Sequence, residues 1–348
     1  MNEKRIGWID TAKGLGIIMV ILGHLYIDNL SVAIYSFHIP LFFFLAGYTY
    51  NTNQPFTVFL RKKTNSLLIP YAVASLMICA FMFFRDIAIG GADPVRVLLF
   101  HIKTLIIQRR KWTLWFISVL FSLCMIYYPL HRARCHIVLP ATLVLFAGGI
   151  LYNKYGGGFL PFNFDATLMV CPYFAAGIVS KQYSFVDKYI LNFSHKQSSE
   201  RLFMMNLIIA IGSTYLSYRL TGQRLDVFYA EYGVIPLTLV SALAGIACVI
   251  YVCQFIHCKW LISIGRNSFV YFAFHQQIFI TIINDYIEKY HLFSTVFVPK
   301  FSRIIFSFVL TVAILGITSM FIKIIERTGY SHLLTGHKME ITGREEKI

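Results

Sequence analysis

Apolar runs of about twenty residues recur along the whole chain, and they constrain its fold more than any other feature. A helix that crosses the hydrocarbon core of a bilayer needs about 20 mostly apolar residues. Ten stretches qualify: roughly 9–28, 34–51, 66–85, 112–130, 136–152, 165–181, 202–220, 233–256, 267–287 and 303–325. They predict an all-α integral membrane protein of about ten transmembrane helices. The segment 95–107 (VRVLLFHIKTLII) is too short and too interrupted to cross, and reads as an interfacial or re-entrant helix. No soluble domain fits between the runs. Residues 1–330 therefore read as one transmembrane domain and 331–348 as a polar tail. Composition agrees: only 14% of the 348 residues are charged and 57% are hydrophobic, whereas soluble domains carry about 25% charged residues. Disorder is excluded. So is a nucleic-acid-binding globule, despite a net charge of +15.

That excess charge is better read as positive loops on one side of a membrane. With the N-terminus in the cytoplasm, eighteen of the 31 lysines and arginines fall on the inner side. Both termini are therefore expected to be cytoplasmic. Arg109, Arg110 and Lys111 stand against the bias on the outer side. They read either as contacts of an interfacial helix with anionic headgroups or as contacts to an anionic glycan or lipid phosphate. The seven cysteines form no CxxC pair, so neither a disulfide framework nor a metal site is signalled. Asp10 and Lys13 border the first apolar run, which reads as a retained span rather than a cleaved signal.

Ionisable residues inside spans are expensive and are functional candidates by default. Asp10, Lys13 and His24 occupy the first span. At about 100° per residue, Lys13 and His24 lie about 20° apart around the helix and about 16 Å apart along it. Asp10 shares that face and is expected to pair with Lys13. The bland reading is a snorkelling lysine above a hydrogen-bonded interior histidine. The second span carries His38 near its outer end, and a tight hairpin through Asn29–Ala33 would bring it to the depth of His24. The loop after it holds the basic run Arg61-Lys62-Lys63, which either sets topology or grips a phosphate-rich ligand. Glu231 and His275 are candidate acceptor contacts, Asp165 a helix cap, and Trp112 and Trp115 interface anchors or stacking platforms for a sugar ring.

The stretch RIGWIDTAKGLGIIMVILGH, followed by IYSFHIPLFFFLAGY, resembles the membrane-bound acyltransferase-3 family of O-acetylases. These modify O-antigens, capsules and exopolysaccharides, and include fucose 4-O-acetylase-like proteins. LWFISVLF at 114–121, PYFAAGIVSK at 172–181 and GRNSFVYFAFHQQI at 265–278 extend the likeness over nearly the whole chain. The family is marked by a basic residue and a histidine eleven positions later, which Lys13 and His24 match. Its RxxR-like element is met by Lys63, with Ser66 or Thr64 where the second arginine would stand, a departure that matters at phosphate sites.

The resemblance implies transfer of an acetyl group from cytoplasmic acetyl-CoA to a sugar hydroxyl of a cell-surface polysaccharide or its lipid-linked precursor, in a bacterial inner membrane. Lys13, Arg61, Lys62 and Lys63 would bind the donor, with no metal. His24 would act as general base or carry the acetyl group as an acyl-imidazole, and His38 would position it or the acceptor. The rival reading from another class is a polytopic transporter or flippase of a small solute or lipid-linked sugar. Transporters often show repeated halves, and the two-histidine hairpin occurs once.

Overall fold

The computed structural model describes residues 7–27, 29–89, 93–107, 112–132, 135–156, 158–191, 196–291, 300–328 and 331–335. Among these the only β pairing is an isolated bridge between Asp226 and Glu231. Six helices are long and apolar enough to cross a membrane: Asn29–Tyr48, Phe56–Ile89, Ile137–Tyr155, Pro161–Gln182, Ile235–Cys253 and Phe301–Arg327, with a shorter apolar helix over Trp115–His131. The protein is an all-α, multi-pass membrane protein. Every one of the ten apolar runs is largely helical. Of those outside the six, α1 (Gly7–Gly23) has 17 residues, the run at 267–287 is interrupted by a π turn, and the run at 202–220 lies in one unbroken but more polar helix, Lys196–Thr221. Large apolar side chains such as Leu143, Val144, Ile208 and Met320 point outward, as lipid-facing surfaces require.

Two features of the N-terminal third depart from expectation. The linker after the first span is not an open loop: Asn29–Tyr35 forms α2, and a break at Ser36–Phe37 separates it from α3 (His38–Tyr48). The basic run is not a loop either. It ends α4 (Phe56–Lys63), which continues through a wide π turn, Thr64–Leu68, into α5 (Ile69–Ile89). Pro70 has no N–H for the carbonyl of Ser66, so the ladder cannot proceed in α register there. Segment 95–107 is the helix α6 (Pro94–Ile107), packed on α5.

The following helices are α7 (Trp115–Arg132), α8 (Cys135–Tyr155), α9 (Phe164–Gln182), α10 (Lys196–Thr221), α11 (Ile235–Cys253), α12 (Lys259–Arg266) and α13 (Ser268–Phe274). Glycines set the closest crossings. A Cβ on Gly47 of α3 would collide with the carbonyl of Phe174 on α9, and one on Gly177 with the carbonyl of Phe44. Gly14 and Gly265 do the same between α1 and α12, against Leu261 and Asp10. Lipid offers no hydrophobic drive to press helices together, so backbone-to-backbone packing at small residues supplies the contact energy. Near the end of the chain, His332–Thr335 packs on α5 and α13 with Leu334 buried. The first residues of the expected polar tail are thus part of the packed domain, and 336–348 lie outside the described residues.

Candidate active site

Three histidines converge in the interior. The α-helical ladder of α1 ends at Gly23, and a tighter turn, His24 N–H to the Ile21 carbonyl at 3.2 Å, carries His24 inward. His38 opens α3, and His275 opens a π turn, His275–Ile280, that follows α13. The rings of His24 and His275 meet edge to face with centroids 5.1 Å apart. The Tyr35 ring lies 5.8 Å from His24 and 4.7 Å from His38, so it bridges them. His38 and His275 are buried and His24 half-buried.

The hydrogen bonds define which nitrogen is basic. His24 Nδ1 lies 2.7 Å from the Val20 carbonyl, His38 Nδ1 2.9 Å from that of Ile34, and His275 Nδ1 2.8 Å from that of Phe272. A carbonyl only accepts, so each Nδ1 carries the hydrogen and donates. Each Nε2 is left with its lone pair, the tautomer a general base needs. The Nε2 atoms of His38 and His275 are buried and have no hydrogen-bond partner among the described residues. Such orphaned nitrogens cost stability and call for an explanation, and a ligand hydroxyl supplies one. Among the described residues no three His, Cys, Asp or Glu side chains are placed to hold a metal ion.

A cavity of about 790 Å³ opens beside the cluster, within the range of small-molecule sites. Lys13, Arg61, Lys62 and Lys63 all line it, as does Arg266 from the end of α12. No acidic side chain is among its described lining residues. Lys63 is held by aromatic faces, its Nζ 5.6 Å from the Phe59 ring centroid and 5.7 Å from that of Tyr50. The opposite wall is apolar, with Phe42, Phe116, Phe269 and Phe272. The ring of Phe272 stands 6.0 Å from that of His275. Cations at one side and an apolar wall beside a buried imidazole suit a ligand that is anionic at one end and uncharged at the other.

The sequence missed Arg266, because only the folded chain brings α12 against α1. It lines the same cavity as Lys63 and Ser66 of the RxxR-like element, and its Nε also bonds buried Asp10 at 3.4 Å. Arg224 and Tyr35 were missed as well. Arg224 lies over the Tyr35 ring at 3.7 Å and is paired with Asp226 at 3.1 Å. The only signal was a charged RLD triplet before the eighth span.

Other candidates fare differently. Glu231 lines a separate cavity on the Arg224 side of the cluster. Trp115 is buried in the core and is no interface anchor; Trp112 is partly buried against that core. Asp165 does not cap α9, since it lies inside the first turn, where its carboxylate accepts the Leu160 N–H at 3.1 Å. Cys79, Cys124, Cys171, Cys248 and Cys253 are buried and Cys258 is exposed. Arg109, Arg110 and Lys111 lie outside the described residues.

No curated protein and no solved structure matches the chain. The model of the acyltransferase-3 family, described as an acyltransferase domain, matches residues 6–322, which contain every site residue named above. The chain therefore belongs to the acyltransferase-3 family of membrane acyltransferases.

Proposed function

We propose that the protein is an O-acetyltransferase of a bacterial inner membrane, with both termini cytoplasmic and residues 1–330 as its transmembrane domain. It moves an acetyl group from acetyl-CoA to a sugar hydroxyl of a cell-surface polysaccharide or its lipid-linked precursor. One observation carries the reading: a cation-lined cavity whose apolar wall reaches His275, which touches His24. Lys13, Arg61, Lys62, Lys63 and Arg266 bind the donor's phosphates, and the phenylalanine wall takes its uncharged arm. The axial rise from Lys13 to His24, about 16 Å, is comparable to the length of that arm.

The donor supplies an activated thioester carbonyl. His24 Nε2 accepts the proton of the sugar hydroxyl as the oxygen attacks that carbonyl. The carbon–sulfur bond breaks, and the imidazolium returns the proton to the departing thiolate, so the base is regenerated. The Nδ1–H bond to the Val20 carbonyl orients the ring and stabilises its charged form. His38 and His275 present Nε2 acceptors that hold the incoming sugar's hydroxyls, or the His24 ring once its Nε2 has taken the proton.

The test is a deletion strain complemented with wild type or His24→Ala, with surface glycans compared by proton NMR. The acetyl signal should vanish on deletion and return only with wild type. An unchanged glycan in all strains sinks the reading.

A further inference from the structure

A second cavity, about 560 Å³, lies at the other end of α1 from Lys13. Asn29 and Ser31 of α2, Gln223, Arg224, Glu231 and Arg303 line it. Its chemistry differs from that of the first. The first cavity offers cations and, among its described lining residues, no acidic side chain, as a polyphosphate requires. This one mixes a carboxylate, guanidinium groups, amides and a hydroxyl. Sugar hydroxyls each donate and accept, so they need both kinds of partner within one small volume.

The lining is also prepared. Asp226 and Glu231 exchange backbone hydrogen bonds of 2.7 and 3.0 Å, which close a tight turn and hold Glu231 in place. Arg224 is held at 3.1 Å by Asp226 and at 3.4 Å by Ser31. Its guanidinium covers Tyr35, and Tyr35 touches both His24 and His38. The Tyr35 ring therefore lies between Arg224 at this cavity and the histidines, and on the other side Phe272 of the cationic cavity stands 6.0 Å from His275.

We propose that this second cavity is the acceptor site. It takes a polyhydroxylated, carbohydrate ligand from the side of the membrane opposite the donor, and the Arg224–Tyr35 stack forms its floor over the histidines. The proposal rests on the acetyl-transfer reading above. Arg224 is a positioning residue: it aligns the sugar so that one hydroxyl passes Tyr35 and meets His24.

The test uses intact cells that express the full chain, with a membrane-impermeant sulfonated maleimide as the blocking probe. Gln223→Cys places a thiol in the cavity. Tyr229→Cys places one on the same loop at an exposed position outside it. Labelling should cut glycan acetylation in Gln223→Cys by about tenfold or more, and leave the parent chain and Tyr229→Cys unchanged. Purified, labelled Gln223→Cys should keep its thermal shift with CoA. Unlabelled Glu231→Gln should lose about tenfold in acetylation, the effect of one charge-assisted hydrogen bond, and keep the same CoA shift. Full acetylation by labelled Gln223→Cys, a thiol that the outside reagent does not reach, or loss of the CoA shift overturns the proposal. If the parent chain itself transfers no acetyl group, the acetyl-transfer reading fails first and this one with it.

Discussion

His24 and His275 meet edge to face, with ring centroids 5.1 Å apart, although they come from opposite ends of the chain. The contact joins the first span to the ninth apolar run and puts a second imidazole beside the proposed base. Nothing in the local sequence of either residue encodes it.

His24→Ala should lower turnover by about 10²–10⁴, the usual contribution of a positioned general base. Affinity for the donor should change little, because the cationic cavity is intact. Single-turnover acetyl transfer together with CoA-dependent thermal shift checks both halves. A variant that transfers at the wild-type rate removes His24 from the chemistry.

Lys63→Ala should raise the KM for acetyl-CoA with little effect on melting temperature, since Lys63 faces the cavity against aromatic rings. Arg266→Ala should raise the same KM and also destabilise the fold by up to about 1 kcal/mol, because its half-exposed guanidinium bonds Asp10 at 3.4 Å. The two variants separate ligand binding from structure when KM and melting temperature are measured together.

His275→Leu should abolish or strongly reduce transfer while leaving stability equal or higher. The side chain is buried and its Nε2 has no partner among the described residues, so an apolar replacement removes an unmet polar group that costs about 1–3 kcal/mol. Thermal melting of the purified protein in detergent reads the stability side. A large loss of stability would mean that the ring is structural.

Gly177→Ala should destabilise by about 1–3 kcal/mol, the usual cost of overpacking. Its added methyl meets the backbone of Phe44, which cannot swing away as a flexible side chain would. Gly148→Ala is the control, since nothing lies within 4 Å of its Cβ position. Melting curves of the pair give the comparison.

Burial raises the carboxyl pKa of Asp226 above its ordinary value, against the lowering effect of the Arg224 guanidinium. Asp226→Asn should still destabilise, because the amide oxygen can keep the Phe228 N–H but the NH2 then faces the Arg224 guanidinium, donor against donor. Asp226→Leu should cost more, since it removes the acceptor of the Phe228 N–H as well as the partner of the Arg224 guanidinium. Expression level and melting temperature of the two variants decide.

The spans were legible because runs of apolar residues carry their own meaning in lipid, where each helix must bond its own backbone. Lys13, Arg61, Lys62 and Lys63 were legible as a group because charge near an apolar run is rare, and all four line one cavity. His24 and His38 were legible for the same reason. What escaped is tertiary. Arg266 reaches the cationic cavity because Gly14 and Gly265 let α12 approach α1, and a lone GR dipeptide carries no sign of that. Tyr35 reads as one more aromatic in an apolar run, and only the break at Ser36–Phe37 turns it between two histidines. Trp115 illustrates the reverse error: tryptophan prefers the interface on average, but here it fills the core.

The π turn at His275–Ile280 has a mechanical consequence. A turn bonded five residues ahead winds less per residue than an α turn, so the helix beyond it leaves out of phase with the helix before it. His275 at its start faces His24, and Asp285, in the helix Thr281–Lys289 beyond it, binds Arg85 of α5 through two bonds of 2.5 and 2.6 Å. The wide turn acts as a fixed phase shifter that lets one rod satisfy two neighbours at different azimuths. Shortening it by one residue would force a choice between the imidazole pair and the ion pair.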